Sequence, residues 1–302
     1  MISDMSNMEV RMKKIIITTT FRDFKGNIND KMQLQFLNSL TKQTYQNYVL
    51  VVTIFKEKNV ERVVKKILGE KAVFYNSIIE DEYRYSLSKV LLNGIDYGKE
   101  IGADILIDCS GDIILQNNFL ETVVNNYSEL YSGISHPNIF FDVNENFEVI
   151  KKRLGQCNRG IDIRFFDFKL LVDKNVYKYL QRYTFLDWGG FEHFLTAICI
   201  KYSSKKINIF NESKVVKFEN NRELSNETEQ FINRSSQRNQ RLLMDAARAM
   251  NIDTDKIMDL YYIHLQYQDT KPFPGYYILK KDFWIKKFFS IFGGNKRWAE
   301  FY

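Results

Sequence analysis

The chain has 302 residues, 45% of them hydrophobic and 15% aromatic, with a net charge of +6. That length and composition support one large domain, or one domain with an appendage, and exclude a disordered polar chain. Three scattered cysteines (Cys109, Cys157, Cys199) and three histidines without ligand spacing (His136, His193, His264) exclude a disulfide scaffold and a zinc site.

The first expected element is a buried strand over Lys13–Thr20, where Ile15-Ile16-Ile17 and three threonines combine strong β-propensities. A helix is expected over Asp30–Thr44, with Met32, Phe36, Leu37 and Leu40 on one side. Tyr48–Phe55 reads as a second buried strand. Asn59–Leu68 reads as a helix with Val60, Val63, Val64 and Ile67 on one side, and Ala72–Tyr75 as a short strand. Ser86–Ile101 is expected to be a helix and Ile105–Ile107 a strand. Strands alternating with helices predict parallel βαβ units in a doubly wound α/β sheet. Further along, Ile161–Leu171 is expected as strand, Phe191–Tyr202 as helix, Lys206–Phe210 as strand, and Thr228–Met250 and Asp255–Tyr267 as helices.

The chemistry concentrates after the Ile105–Ile107 strand, where Asp108, Ser110, Gly111 and Asp112 make a tight acidic turn. Carboxylates at the end of a buried strand are costly to desolvate unless they meet a cation or a donor. The carboxyl edge is also where open α/β sheets bind ligands. Hard oxygen ligands there suit Mg²⁺ or Mn²⁺ on a diphosphate. The plainer alternative is an Asp that caps its own turn. Thr20 and Arg22 close the first strand, and Arg84 precedes the Ser86–Ile101 helix. Each can face phosphate or nucleotide, or serve as an ordinary strand end or capping loop. No glycine-rich phosphate loop follows the first strand, so neither a dinucleotide fingerprint nor a Walker loop is present.

A second constellation is Asp187-Trp188-Gly189-Gly190-Phe191-Glu192-His193. The glycine pair permits close backbone approach, and Trp188 offers a flat face to a sugar ring. Glu192 at a helix start can act as a general base on an acceptor hydroxyl. Alternatively it is a helix-start acid favoured by the dipole, beside a core Trp.

Together these segments resemble the GT-A-fold glycosyltransferases, especially the family-2, bacterial surface-polysaccharide type. Ile15–Arg22 looks like that family's opening strand with its Thr-x-Arg-like end. Ser39–Val52 is similar to "SLLNQTYKNIEIIVV", Leu92–Asp108 to "RNxGIxxAxGEYIxFLD", and Trp188–His193 to "GGF…ED" or "WGGED". The likeness covers roughly residues 13–210. It implies a mostly parallel central sheet flanked by helices, with a helical C-terminal extension. It divides the chain into a catalytic domain over 1–220 (donor half about 13–120, acceptor half about 121–220) and a helical region over 221–302. It also implies an inverting sugar transfer from a nucleotide-sugar donor to a glycan or lipid-linked saccharide acceptor. Under it, Thr20, Arg22, Arg84, Asp108 and Ser110 bind the donor, and Asp187, Trp188, Gly189 and Gly190 the acceptor. Asp112 and Asp108 face a Mn²⁺ or Mg²⁺ ion. Glu192 is the preferred base and His193 the alternative in the ungapped register. The chain departs from the family where Thr53-Ile54-Phe55-Lys56 replaces the acidic "DDGS". Its metal motif is either Asp108-Cys109-Ser110 or Ser110-Gly111-Asp112, the second matching the following residues better.

The segment from Gly275 to Tyr302 carries six basic residues against two acidic ones, interleaved with Phe and Trp. That pattern suits a membrane interface with anionic lipids or a helix packed on the catalytic domain. No membrane span and no signal segment is expected, so the predicted location is cytoplasmic, peripheral at the inner face of the cytoplasmic membrane. The rival reading is a non-catalytic GT-A-like module that binds a glycan or a partner. A nucleic-acid partner is not expected, because the charge is modest and the basic aromatic residues cluster at one end.

Overall fold

The structure, a computed structural model, describes residues 12–77, 86–127, 132–135, 139–144, 146–154, 163–173, 176–183, 195, 208–210, 215–219, 239 and 241–251. The strands expected early in the chain form: β1 (Ile15–Thr20), β2 (Tyr48–Ile54), β3 (Ala72–Asn76) and β4 (Ile105–Cys109). They alternate with α1 (Ile28–Thr41), α2 (Val60–Leu68) and α3 (Leu87–Ile101). Each is made by the pattern that predicts it. Ile15, Ile16 and Ile17 are wholly buried, as a strand covered on both faces requires. In α1, the buried Phe36, Leu37 and Leu40 return at helical spacing, each contributing about 1.5–3 kcal/mol by leaving water. That helix starts at a capping box. Asn27 Oδ1 accepts from the Asn29 N–H at 2.9 Å, and Asp30 Oδ2 accepts from the Asn27 N–H at 3.3 Å.

The main sheet takes in three later strands, β6 (Ser132–Ser135), β9 (Ile163–Asp167) and β10 (Asn208–Phe210), in the order β10-β6-β9-β4-β1-β2-β3. Within the sheet β1, β2, β3 and β4 are mutually parallel, whereas β9 runs antiparallel to both β4 and β6. The expectation of a mostly parallel sheet flanked by helices is met. Two buried layers cover it. One, under α3, α5 (Phe168–Asp173), α6 (Val176–Arg182) and a helical segment at 241–249, holds Ile16, Val51, Leu106 and Phe166. The other, under α1, α2 and α4 (Phe119–Asn125), holds Ile17, Val52, Ile107 and Phe165.

The strand expected over Ile161–Leu171 is shorter than that. It ends at Asp167, where Oδ1 accepts the Lys169 N–H at 2.8 Å and starts α5, while Oδ2 accepts the Tyr127 hydroxyl at 2.7 Å. A second sheet, not expected from the sequence, has the order β5-β11-β7-β8. It is built from β5 (Ile113–Leu115), β7 (Ile139–Val143), β8 (Val149–Leu154) and β11 (Val215–Glu219). Of the later helices expected, Phe191–Tyr202 and Asp255–Tyr267 lie outside the described residues apart from Leu195. Thr228–Met250 is represented by helix at 239 and 241–249.

Candidate functional site

The parallel register sets the ends of β1, β2 and β4 side by side. Thr18 pairs with Asp108 on one flank, and Thr20 pairs with Thr53 on the other. On the α3 side of this edge, polar side chains replace the apolar ones of the strand interiors. Thr18 Oγ1 donates to the Val90 carbonyl at 2.7 Å, and Thr20 Oγ1 donates to the Thr53 carbonyl at 2.8 Å. Asn93 Nδ2 donates to Thr53 Oγ1 at 2.8 Å. These bonds satisfy groups that would otherwise be costly to bury. They also fix the first turns of α3 over the edge.

The acidic turn folds back across the end of β1. A Cβ on Gly111 would stand 2.8 and 2.9 Å from ring carbons of Phe21 and 3.0 Å from the Thr20 carbonyl oxygen. Only a glycine permits that approach, which seats the turn at Gly111 on Phe21 and the Thr20 carbonyl. Ser110 and Asp112 are half-buried, and Asp112 Oδ1 is withdrawn from solvent. Arg22 is exposed. Its backbone is clamped by Gln33 of α1, whose Oε1 accepts the Arg22 N–H at 2.7 Å and whose Nε2 donates to the Arg22 carbonyl at 3.0 Å.

Asp108 is buried, and its carboxylate meets a partner that the sequence reading does not name. Arg164, buried in β9, lies directly opposite it in the antiparallel register. Arg164 Nε and Nη2 reach Asp108 Oδ2 at 2.8 and 2.5 Å. The signal for Arg164 was a charge inside the apolar run Ile163-Arg164-Phe165-Phe166, since a buried charge demands a counter-ion. Asn93 carried no comparable signal. Tyr75, opposite Thr53 on β3, has its phenol pushed up by burial first, and then by the carboxylates of Glu100 and Asp96.

The structure thus brings together Thr20, Asp108, Ser110 and Asp112, with Arg22 at the rim. Arg84, Asp187, Trp188, Gly189, Gly190, Glu192 and His193 lie outside the described residues. Among the described residues, no three acidic, His or Cys side chains cluster as a metal site. Both Asp108 and Asp112 have the oxygen chemistry that a divalent ion on a diphosphate requires, and Asp108 is bonded to the Arg164 guanidinium.

A mostly parallel sheet with an inverted strand beside its central acidic edge defines this as a GT-A-type α/β fold. Solved structures share it, two of S. aureus TarS among them. The crystal structure of S. aureus TarS is 15% identical over 91% of this chain and 47% of its own length, with a TM-score of 0.53. The crystal structure of S. aureus TarS 1–349 in complex with UDP-GlcNAc is 14% identical over 91% of this chain and 79% of its own, with a TM-score of 0.51. This chain therefore spans about half the length of the longer TarS chain. No protein-family model and no curated protein matches the sequence.

Proposed function

We propose that this protein is a glycosyltransferase that moves a sugar from a nucleotide-sugar donor to a glycan or lipid-linked saccharide. The observation that carries this reading is the gathering of Thr20, Asp108, Ser110 and Asp112 at one sheet edge. It is supported by the shared fold of a TarS structure in complex with UDP-GlcNAc.

The donor lies along that edge, bound by Thr20, Arg22, Arg84, Asp108 and Ser110. Asp187, Trp188, Gly189 and Gly190 form the acceptor side. The acceptor hydroxyl oxygen attacks the anomeric carbon as the bond from that carbon to the diphosphate oxygen breaks, inverting the configuration. Glu192 takes the hydroxyl proton, His193 being the alternative base. Asp112 would hold a Mn²⁺ or Mg²⁺ ion, which would supply positive charge to the departing diphosphate. The reaction takes place in the cytoplasm at the inner face of the membrane, a location supported by the basic and aromatic composition of the sequence over 275–302. No described helix is long and apolar enough to cross it.

The test is a thermal-shift screen of UDP, GDP, CMP and dTDP sugars with and without Mn²⁺. A donor at a hundred times its Kd stabilises by about 2.7 kcal/mol, or about 5 °C in melting temperature. A flat response to every sugar nucleotide refutes the reading. A non-catalytic module is favoured instead by the absence of acids at Thr53-Ile54-Phe55-Lys56. Donor hydrolysis abolished by Glu192→Gln would exclude that rival.

A further inference from the structure

We propose that Gln43 is a positioning residue for the donor. From the edge of the sheet opposite the donor, it fixes the backbone onto which the acidic turn runs, so donor affinity depends on it. The inference rests on the glycosyltransferase reading above. It gives a role to Ser39–Val52, a stretch that carries the family resemblance yet supplies no residue to the site.

The placement follows from the topology. β1 and β2 are parallel, so α1 carries the chain from the carboxyl ends of the strands back to their amino ends. Gln43 lies just past α1 and therefore stands away from the edge that holds Thr20 and Asp108. β5 leaves the acidic turn at Ile113 and extends over three residues, or about 10 Å, to Leu115. That run brings the chain from the turn to Gln43.

The bonds at its end are specific. Gln43 is 2% exposed, and its amide is engaged with backbone on three sides. Nε2 donates to the Ser39 carbonyl at 3.0 Å and to the Gln116 carbonyl at 2.8 Å, while Oε1 accepts the Leu120 N–H at 3.0 Å. Leu120 lies in the first turn of α4, where Asn118 makes no side-chain cap, so Gln43 supplies one from outside. Beside it, Ser39 Oγ accepts the Leu115 N–H at 3.1 Å and donates to the Phe36 carbonyl at 2.7 Å. The Thr44 N–H donates to the Asn117 carbonyl at 2.7 Å.

The chain is thus tied to α1 and its end from Leu115 to Leu120. On the other side of the acidic turn, Thr19 Oγ1 donates to the Cys109 carbonyl at 2.7 Å. The turn is held at both ends, with Gly111 seated on Phe21 between them. Removing the Gln43 amide leaves the Ser39 and Gln116 carbonyls and the Leu120 N–H short of a partner in a buried place. Letting water in relieves that cost and shifts the exit of the turn. A displacement of about 1 Å at a binding group costs up to about a hundredfold.

The experiment combines hydrogen exchange on the full chain with calorimetric titration of UDP, GDP, CMP and dTDP. Gln43→Met keeps a long unbranched side chain and loses all three bonds. It should speed exchange over 109–121 by about tenfold or more, with β1 unchanged. It should also weaken the nucleotide that the wild type binds by about tenfold or more. Tyr48→Phe deletes another buried bond to the same end of α1, from the Tyr48 hydroxyl to the Leu40 carbonyl. It should leave nucleotide affinity within about twofold, which separates positioning from a general loss of stability. Ser39→Ala should weaken the nucleotide severalfold. Ser39→Thr, whose hydroxyl can still bond the preceding turn of the helix, should restore it.

A folded Gln43→Met protein with wild-type nucleotide affinity would overturn the inference, and so would an equal loss in Tyr48→Phe. If Gln43→Met fails to fold, the Ser39 pair decides. Wild-type affinity in Ser39→Ala, or a loss in Ser39→Thr as large as in Ser39→Ala, would then overturn it. A wild type that binds none of the four nucleotides, with faster exchange over 109–121 in Gln43→Met, would refute the donor reading while leaving Gln43 its hold on the turn.

Discussion

Gly94, in the middle of α3, offers a test of how tightly the helix is seated over the donor edge. A Cβ there would stand 2.9 Å from Thr18 Cβ, 3.1 Å from Thr18 Oγ1 and 3.3 Å from Leu106 Cδ1. Thr18 cannot swing aside. It is fully buried on the central strand, and its hydroxyl is bonded to the Val90 carbonyl of the same helix. Replacing Gly94 by Ala therefore has two opposed effects. Helix propensity favours Ala by about 1 kcal/mol. Overpacking a rigid contact costs about 1–3 kcal/mol, and pushing α3 outward stretches the Thr18–Val90 bond, worth about 1 kcal/mol. The sum is a net loss of about 1–3 kcal/mol. The Asn93–Thr53 bond lies one residue away and should loosen with it, weakening donor binding. Urea unfolding followed by circular dichroism measures the first effect, and titration with a donor nucleotide the second. A Gly94→Ala protein with an unchanged or higher urea midpoint would show that α3 has room to spare, contrary to this account.

Three further outcomes are expected. Arg164→Met should cost about 3–5 kcal/mol by leaving Asp108 buried without its cation, while the apolar pair Asp108→Leu/Arg164→Met should recover most of that loss in the same urea assay. An equally unstable double variant would contradict it. Tyr48 is 3% exposed and donates to the Leu40 carbonyl at 2.7 Å, and burial pushes its phenol from 10.0 up to about 12. The folded protein keeps that proton where the unfolded chain has lost it. This stabilisation is complete below pH 10 and disappears as the pH rises through about 12, at about 1.4 kcal/mol per pH unit. Tyr48→Phe should remove that slope, and parallel alkaline curves for the two proteins would count against it. Finally, Gly111→Ala should drive the acidic turn off Phe21 and weaken donor binding at least tenfold, displacements of this kind costing up to about a hundredfold. Unaltered donor affinity by calorimetry would show that the turn tolerates a methyl group.

The half of the fold built from β1 to β4 was legible because its strands are unbroken apolar runs and its helices carry narrow stripes. Those signals are local. The second sheet was not legible for the opposite reason. In β8, Val149 and Ile150 are 54% and 69% exposed and Lys151 and Lys152 follow them, so no alternation of buried and open positions marks a strand. The strand exists through its pairing with β7, which depends on residues elsewhere in the chain. The candidate site divides in the same way. Asp108, Ser110 and Asp112 stand out because acids close an apolar strand. Arg164 is 56 positions from its partner and sits in a segment whose apolar character dominated the reading. The strand expected over Ile161–Leu171 hid both the helix start at Asp167 and the charge within β9.

The inverted direction of β9 has a consequence for how this chain can vary. Because that strand runs against β4, its opening residues stand beside the closing residues of its neighbour. Side chains alternate between the two faces, so Ile163 and Phe165 point into one layer while Phe166 points into the other. Arg164 reaches Asp108 by parity alone. Deleting or adding one residue upstream in that strand would swap the guanidinium for an isobutyl-sized or phenyl group and strand the carboxylate in hydrocarbon. Lineages of this protein should therefore tolerate length changes within β9 only when they come with a compensating shift, or when both members of the pair are exchanged together.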